Sequence, residues 1–185
     1  MSPGTIWHEE IHDILYYMRS IVLIAHNLRS CHNVGSLLRT AEGLGVKEVL
    51  LTGYTPYPYH EGENDGRLPH LALKLHKQMH KTALGAEETQ AWRHADALEP
   101  VLAELRQAGY TLAAVEQSAD SVRLPDFEVP DKLALLVGRE VEGVEPEVLA
   151  MMDTALEIPM FGSKESFNVV QAAAMALYHC RFQAR

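Results

Sequence analysis

Two short runs in this chain are apolar at every position: Ile21-Val22-Leu23-Ile24-Ala25 and Leu133-Ala134-Leu135-Leu136-Val137. A strand with one wet face alternates apolar and polar residues, so a run with no polar position has both faces buried. Val49–Thr52 and Tyr110–Val115 read as further strands. A helical pattern from about Val34 to Leu44 separates the first two, with Asn33 as a plausible cap and Gly45 where a helix-ending glycine belongs. Strand, loop, helix and strand in that order predict an α/β fold, a mostly parallel sheet with helices on both faces.

Other segments fill in this outline. Ala83–Glu87 reads as a strand edge or turn. Trp92, Ala95, Leu98, Val101, Leu102 and Leu105 follow helical spacing, and Gly109 ends that helix. Glu116–Pro130 reads as a connection and Glu147–Met152 as a short helix. Leu156–Met160 reads as a strand, Phe161–Ser166 as a polar loop, and Asn168 to about Arg181 as an alanine-rich helix. Ser166 or Asn168 can cap that helix, and polar donors at its positive end suit an anionic group. Near the start, Ile11, Ile14, Leu15 and Met18 are spaced as one helix face. This divides the chain into an N-terminal helical extension, residues 1–20, and one domain, residues 21–185, large enough for a sizeable core.

Composition narrows the function. The chain has 16 basic and 25 acidic residues and a formal net charge of −9, which argues against wrapping nucleic acid by bulk charge. A local basic groove, or a helper protein, is the alternative. The one dense basic patch is His70–Lys81, with Lys74, His76, Lys77, His80 and Lys81. It follows a loop rich in aromatics, Tyr54, Tyr57 and Tyr59, which could stack on bases. A solvated helix after a surface loop explains the same residues equally well. His76 and His80 lie four apart, but with neither an HExxH glutamate nor a cysteine pair no metal is expected. No apolar run is long enough to span a bilayer, and no signal peptide is visible. Two cysteines, Cys31 and Cys180, then read as reduced thiols in a cytoplasm.

Gly138-Arg139-Glu140-Val141-Glu142-Gly143 follows a buried strand and is neither a dinucleotide fingerprint nor a phosphate-binding P-loop. Three segments together carry a resemblance. Ile158-Pro159-Met160 with Gly162, Ser166, Asn168 and Val169, followed by the alanine-rich helix, is similar to the third motif of the SpoU (TrmH-like) RNA ribose methyltransferases of the SPOUT class. Asn33, Gly35 and Arg39 resemble the first motif, and Gly138, Glu140 and Gly143 the second. The resemblance runs in the right order from about residue 21 to the end. Phe167 stands where leucine is usual, and Val170-Gln171 replaces small residues.

The resemblance implies a C-terminal trefoil knot, a homodimer whose sites are completed near the partner subunit, and methyl transfer from S-adenosylmethionine to a ribose 2′-hydroxyl of tRNA or rRNA. It implies a donor pocket walled by Gly138 and Gly143 on one side and by Ile158, Met160, Ser166 and Phe167 on the other, closed near Val115. Arg39 is the implied catalytic position, supported by Asn33, Glu140, Ser166 and Asn168. A guanidinium stays protonated, so orienting the hydroxyl or stabilising its anion suits Arg39 better than acting as a base. Arg29, Lys74, Lys77, Lys81 and Arg139 are candidate RNA contacts. Two other readings remain: a non-catalytic RNA-binding or assembly protein on the same fold, and an enzyme that methylates a base.

Overall fold

The computed structural model describes residues 19–59 and 66–184. The helical reading of residues 1–20 thus lies outside the described residues, apart from Arg19 and Ser20. Seven strands form a single sheet: β1 (Ser20–His26), β2 (Glu48–Thr52), β3 (Trp92–Ala95), β4 (Thr111–Val115), β5 (Val122–Arg123), β6 (Lys132–Val137) and β7 (Thr154–Glu157). Their order is β3-β2-β1-β6-β4-β7-β5, and every pairing is parallel.

The apolar runs divide by parity, as a pleated strand requires. Ile21, Leu23 and Ala25 of β1, with Leu133, Leu135 and Val137 of β6, join one core. Val22 and Ile24, with Ala134 and Leu136, join a second core on the opposite face. The first is covered by α1 (Cys31–Gly43) and α6 (Val169–Phe182), the second by α4 (Glu99–Gln107) and the short α5 (Pro146–Leu149). Each buried leucine or isoleucine contributes about 1.5–3 kcal/mol relative to an exposed one, so an unpaired polar side chain on either face of the central strands is costly.

The remaining helices are α2 (Pro69–Ala83) and α3 (Ala86–Thr89). α1 and α2 pack closely because Gly35 has no side chain: a Cβ there would sit 2.2 Å from the Met79 carbonyl oxygen. The C-terminal helix is tied to the start of the sheet. Arg181 donates to the carbonyls of Leu44 (2.9 Å), Arg19 (2.6 Å) and Gly45 (2.7 Å). Arg19 in turn donates to the Gln183 carbonyl at 2.7 Å. Cys180 is fully buried on α6, and burial pushes its thiol up to about 12, well outside the reactive range. Cys31 and Cys180 are both free thiols. Among the described residues no helix is long and apolar enough to cross a membrane.

Several local expectations change. Ser30, not Asn33, caps α1: its side chain accepts the Asn33 N–H at 3.2 Å. Asn33 sits inside the first turn, leaving its amide free for another partner. Of the two readings of Ala83–Glu87 the turn holds and the strand edge does not: the segment is the end of α2, a left-handed turn at Leu84 and Gly85, and the start of α3. Trp92–Ala95 is the edge strand β3 rather than helix, and the helix begins only at Glu99. The Glu116–Pro130 connection contains β5 and a 3-10 turn, Leu124–Asp126. The strand expected at Leu156–Met160 lies earlier, at Thr154–Glu157, and the chain leaves the sheet at Ile158.

Candidate active site

Parallel sheets bind ligands in the crevice beyond the carboxyl ends of their strands, where connections diverge. A cleft of this molecule lies there. It is walled by the ends of β4 (Val115), β6 (Val137) and β7 (Leu156) and by the segments that follow them. Its cavity volume is ≈ 200 Å³, smaller than a typical enclosed ligand pocket, and it opens broadly to solvent.

Every residue expected to hold the donor lines this cleft: Val115, Gly138, Gly143, Ile158, Met160, Ser166 and Phe167. The two glycines have separate reasons. Gly143 adopts a φ of 71°, and a Cβ there would strike a Glu116 carboxylate oxygen at 2.3 Å. Gly138 is held by close approach, since its Cβ would meet the Gly143 carbonyl oxygen at 2.8 Å. The turn between them closes through paired backbone bonds of Arg139 and Gly143, at 3.2 and 3.1 Å. The Glu116 carboxylate holds the same turn from β4, accepting the Val144 N–H at 2.8 Å.

Glu140 joins the cleft to the first turn of α1. One of its oxygens accepts the Ser30 N–H and the Asn33 side-chain amide, both at 3.1 Å, and the other accepts the Arg29 N–H at 3.3 Å. Burial pushes its pKa up, but hydrogen bonds from its own backbone, Asn33, Ser30 and Arg29 together outweigh burial and hold it below the ordinary carboxylate value. A carboxylate so fully engaged is a poor proton acceptor and a good strut.

The other expected residues divide. Ser166 and Arg139 line the cleft; Asn168 does not, and its side chain caps α6 by accepting the Val170 N–H at 2.9 Å. Arg39 is exposed on α1 and is not part of the cleft wall, and it makes no hydrogen bond or ion pair among the described residues. Arg29, at the rim, pairs with Glu142 at 3.5 Å. Lys74, Lys77 and Lys81 line a shallow groove along α2 with His70, Leu73 and Gln78.

Sequence reasoning missed a cluster behind the cleft. Arg139 pairs with Glu145 at 3.3 Å, and Glu145 accepts from the Asn27 amide at 3.1 Å. The Asn27 amide also meets His26 at 3.0 Å, and His26 meets Thr52 at 2.8 Å. Burial holds His26 below its ordinary pKa, against the raising effect of Glu145 and Glu99. Glu116 and Glu157, both on the cleft wall, were missed as well. Their one signal was position, immediately after or at the end of an apolar strand.

His76 and His80 do not converge on one centre; their rings stack 6.4 Å apart. His76, Glu87 and Glu88 do bring possible ligand atoms within 4.8 Å of one another. Glu87 is nevertheless satisfied inside the protein, by His80 and by the Gly85 N–H at 2.9 Å.

Known proteins resemble this chain in sequence and in fold. Residues 68–178 match the SpoU rRNA Methylase family. The chain is 30% identical over 178 residues to the 23S rRNA (guanosine-2′-O-)-methyltransferase RlmB of Neisseria meningitidis serogroup B, covering 95% of this chain and 64% of that protein. It is 26% identical to the tRNA (guanosine(18)-2′-O)-methyltransferase of Aquifex aeolicus, covering 89% and 70%. The SpoU methyltransferase AviRb of Streptomyces viridochromogenes, solved with AdoMet, superposes with a TM-score of 0.73 at 21% identity, covering 91% of this chain and 60% of that one. The chain thus spans less than two thirds of RlmB and of AviRb.

Proposed function

The chain belongs to the SpoU rRNA Methylase family, and from that premise we propose that it transfers a methyl group from S-adenosylmethionine to a ribose 2′-hydroxyl of tRNA or rRNA. The observation that carries the proposal is convergence. Segments about a hundred residues apart meet through the Asn33–Glu140 bond, beside a cleft lined by Gly138, Gly143 and Ser166. The residues fit the donor: aliphatic side chains of Val115, Leu156 and Ile158 face a glycine-pinned turn, a suitable slot for a purine and its ribose. When bound, S-adenosylmethionine supplies an electrophilic methyl on a sulfonium.

The chain's own residues have the remaining tasks. The reacting hydroxyl must be held in line and its proton must leave. Arg39 orients that oxygen or stabilises its developing charge. Glu140 and Asn33 hold the entry to α1, the helix that carries Arg39. Ser166 orients groups at the cleft mouth, and Asn168 fixes the start of α6 beneath it. Residues 21–185 form the methyltransferase domain, with the trefoil knot of the class at its C-terminal end. RNA is held by Arg29, Arg139 and the Lys74, Lys77 and Lys81 ridge.

The functional unit is a homodimer in the cytoplasm. Two observations support it. Arg39 lies outside the cleft wall of its own chain, and α6 exposes a tilted ring pair, Tyr178 and Phe182, 62% and 63% exposed with centroids 4.8 Å apart. An apolar patch of that kind suits a partner surface. A helper protein that brings the RNA suits the acidic balance of the chain.

Labelled donor with total RNA, followed by alkaline hydrolysis, tests the reaction. Label in alkali-resistant dinucleotides is expected. Label in free nucleotides would point to base methylation. No label together with no donor binding would leave a non-catalytic RNA-binding protein.

A further inference from the structure

The cleft wall is strongly acidic for a site said to work beside RNA. Glu116, Glu140, Glu142, Glu157 and Glu165 line it, against a single lining cation, Arg139. The nearby positive charges are already engaged: Arg139 with Glu145 at 3.3 Å and Arg29 with Glu142 at 3.5 Å. Of the acids, Glu142 is paired with Arg29 and lies 4.0 Å from Arg139, whereas Glu116, Glu140 and Glu157 are held by neutral donors. Glu157 accepts from Ser121 at 3.0 Å and from Gln117 at 3.3 Å. Glu116 accepts the N–H groups of Gln117 at 2.9 Å and Val144 at 2.8 Å. Glu165 makes no hydrogen bond or ion pair among the described residues. Neutral donors of this kind satisfy a carboxylate's oxygens without cancelling its charge.

A cleft lined by one sign of charge, with low-dielectric walls, concentrates field lines on whatever enters it. We infer that this wall makes the site charge-selective, favouring the cationic sulfonium donor over the neutral thioether left after transfer. The inference rests on the methyl-donor reading. Donor and product share adenosine and the amino-acid end, and differ by the methyl and one positive charge. Transfer breaks the sulfur–carbon bond as the ribose oxygen–carbon bond forms, and the hydroxyl proton leaves to solvent. The sulfur is neutral afterwards, so the wall loses its attraction once the reaction is complete. Product leaves readily, and the next donor is drawn in. The same wall repels phosphate, which leaves RNA-backbone contacts to Arg139, to Arg29 at the rim and to the α2 ridge.

The test is calorimetric binding to the full chain of S-adenosylmethionine, S-adenosylhomocysteine and sinefungin, an analogue with an amine in place of the sulfonium methyl. Both cationic ligands are expected to bind more tightly than the thioether, with a gap that narrows as salt rises. Glu157→Gln keeps an acceptor for Ser121 and removes one charge; it should shrink the gap by about threefold or more. Glu165→Gln, at an exposed loop position that carries no packing, should act in the same direction if Glu157→Gln folds poorly. Glu104→Gln, on α4 away from the cleft, should leave the gap unchanged. Thioether binding as tight as the donor's, or a gap unmoved by both cleft variants, would overturn the inference and leave the methyl-donor reading standing. Failure of all three ligands to bind would overturn the methyl-donor reading itself.

Discussion

The side-chain amide of Asn33 donates to the Glu140 carboxylate at 3.1 Å, across 107 positions of sequence. The same oxygen accepts the Ser30 N–H, so the turn after β6 is clamped to the first turn of α1. Glu140→Gln removes the charge and presents an amide to donors that need an acceptor. A hydrogen bond to a charged group contributes about 1.5–3 kcal/mol, so the variant should lose stability of that order at neutral pH. The carboxylate is held below its ordinary value of 4.5. Its contribution is therefore present above that value and lost as pH falls through the lower, folded value. Thermal unfolding of both proteins should show a wide gap at about pH 7 that narrows as the pH falls below 4.5.

Gly35 is a packing position before it is a motif residue. An added Cβ would lie 2.2 Å from the Met79 carbonyl oxygen and 2.4 Å from the Thr82 hydroxyl. Neither is the end of a long side chain that can swing away, so the helices must separate. Overpacking of this kind costs about 1–3 kcal/mol. Gly35→Ala should lower the urea midpoint accordingly, whereas Gly43→Ala, with nothing within 4 Å, should not destabilise the protein.

Most of the sheet was legible because Ile21–Ala25 and Leu133–Val137 in its central strands are apolar at every position, and Leu23 or Leu135 can sit nowhere but in a two-faced core. The cleft was legible through glycines with physical duties and through strand ends. What escaped has identifiable causes. β3 is an edge strand of four half-buried residues, and Trp92 and Ala95 fall by accident into register with the helix that follows. Asn33 was read as a cap because it directly precedes the helical pattern that begins at Val34, but the helix starts a turn earlier and Ser30 takes that place. Glu116, Glu145 and Glu157 act through partners distant in sequence, such as the Val144 N–H and the Asn27 amide, which no local pattern encodes.

Arg39 separates catalytic from structural roles. It is exposed and makes no hydrogen bond or ion pair among the described residues, so Arg39→Ala should leave the melting temperature and donor affinity unchanged. If its guanidinium steadies the reacting oxygen, methyl transfer should fall by roughly 100- to 1,000-fold. Measuring donor affinity by calorimetry and turnover with labelled donor on one preparation decides the matter. Loss of both would make Arg39 a structural residue.

Tyr178 and Phe182 project from α6 into solvent in the single chain. If they are covered by a second copy, Tyr178→Asp with Phe182→Asp places two charges in that contact. Light scattering should then report a monomer where the parent chain is a dimer. Circular dichroism should be unchanged, because the face of α6 that packs on the sheet, Ala173, Ala176, Leu177 and Cys180, is untouched. A parent chain that is already monomeric at micromolar concentration would end the dimer proposal.

Lys74, Lys77 and Lys81 stand along one groove of α2, three and four residues apart, on one side of the helix. They serve RNA only if they meet phosphates, and phosphate contacts have a measurable signature. Each one lost should reduce the slope of log affinity against log salt by about 0.7–0.9. The triple change to alanine should therefore weaken RNA binding uniformly across sequences and flatten its salt dependence, while calorimetry shows donor binding intact. An unchanged slope would make the ridge a solvated helix face. RNA contact would then fall to the rim, where Arg29 is only half free because Glu142 lies 3.5 Å away.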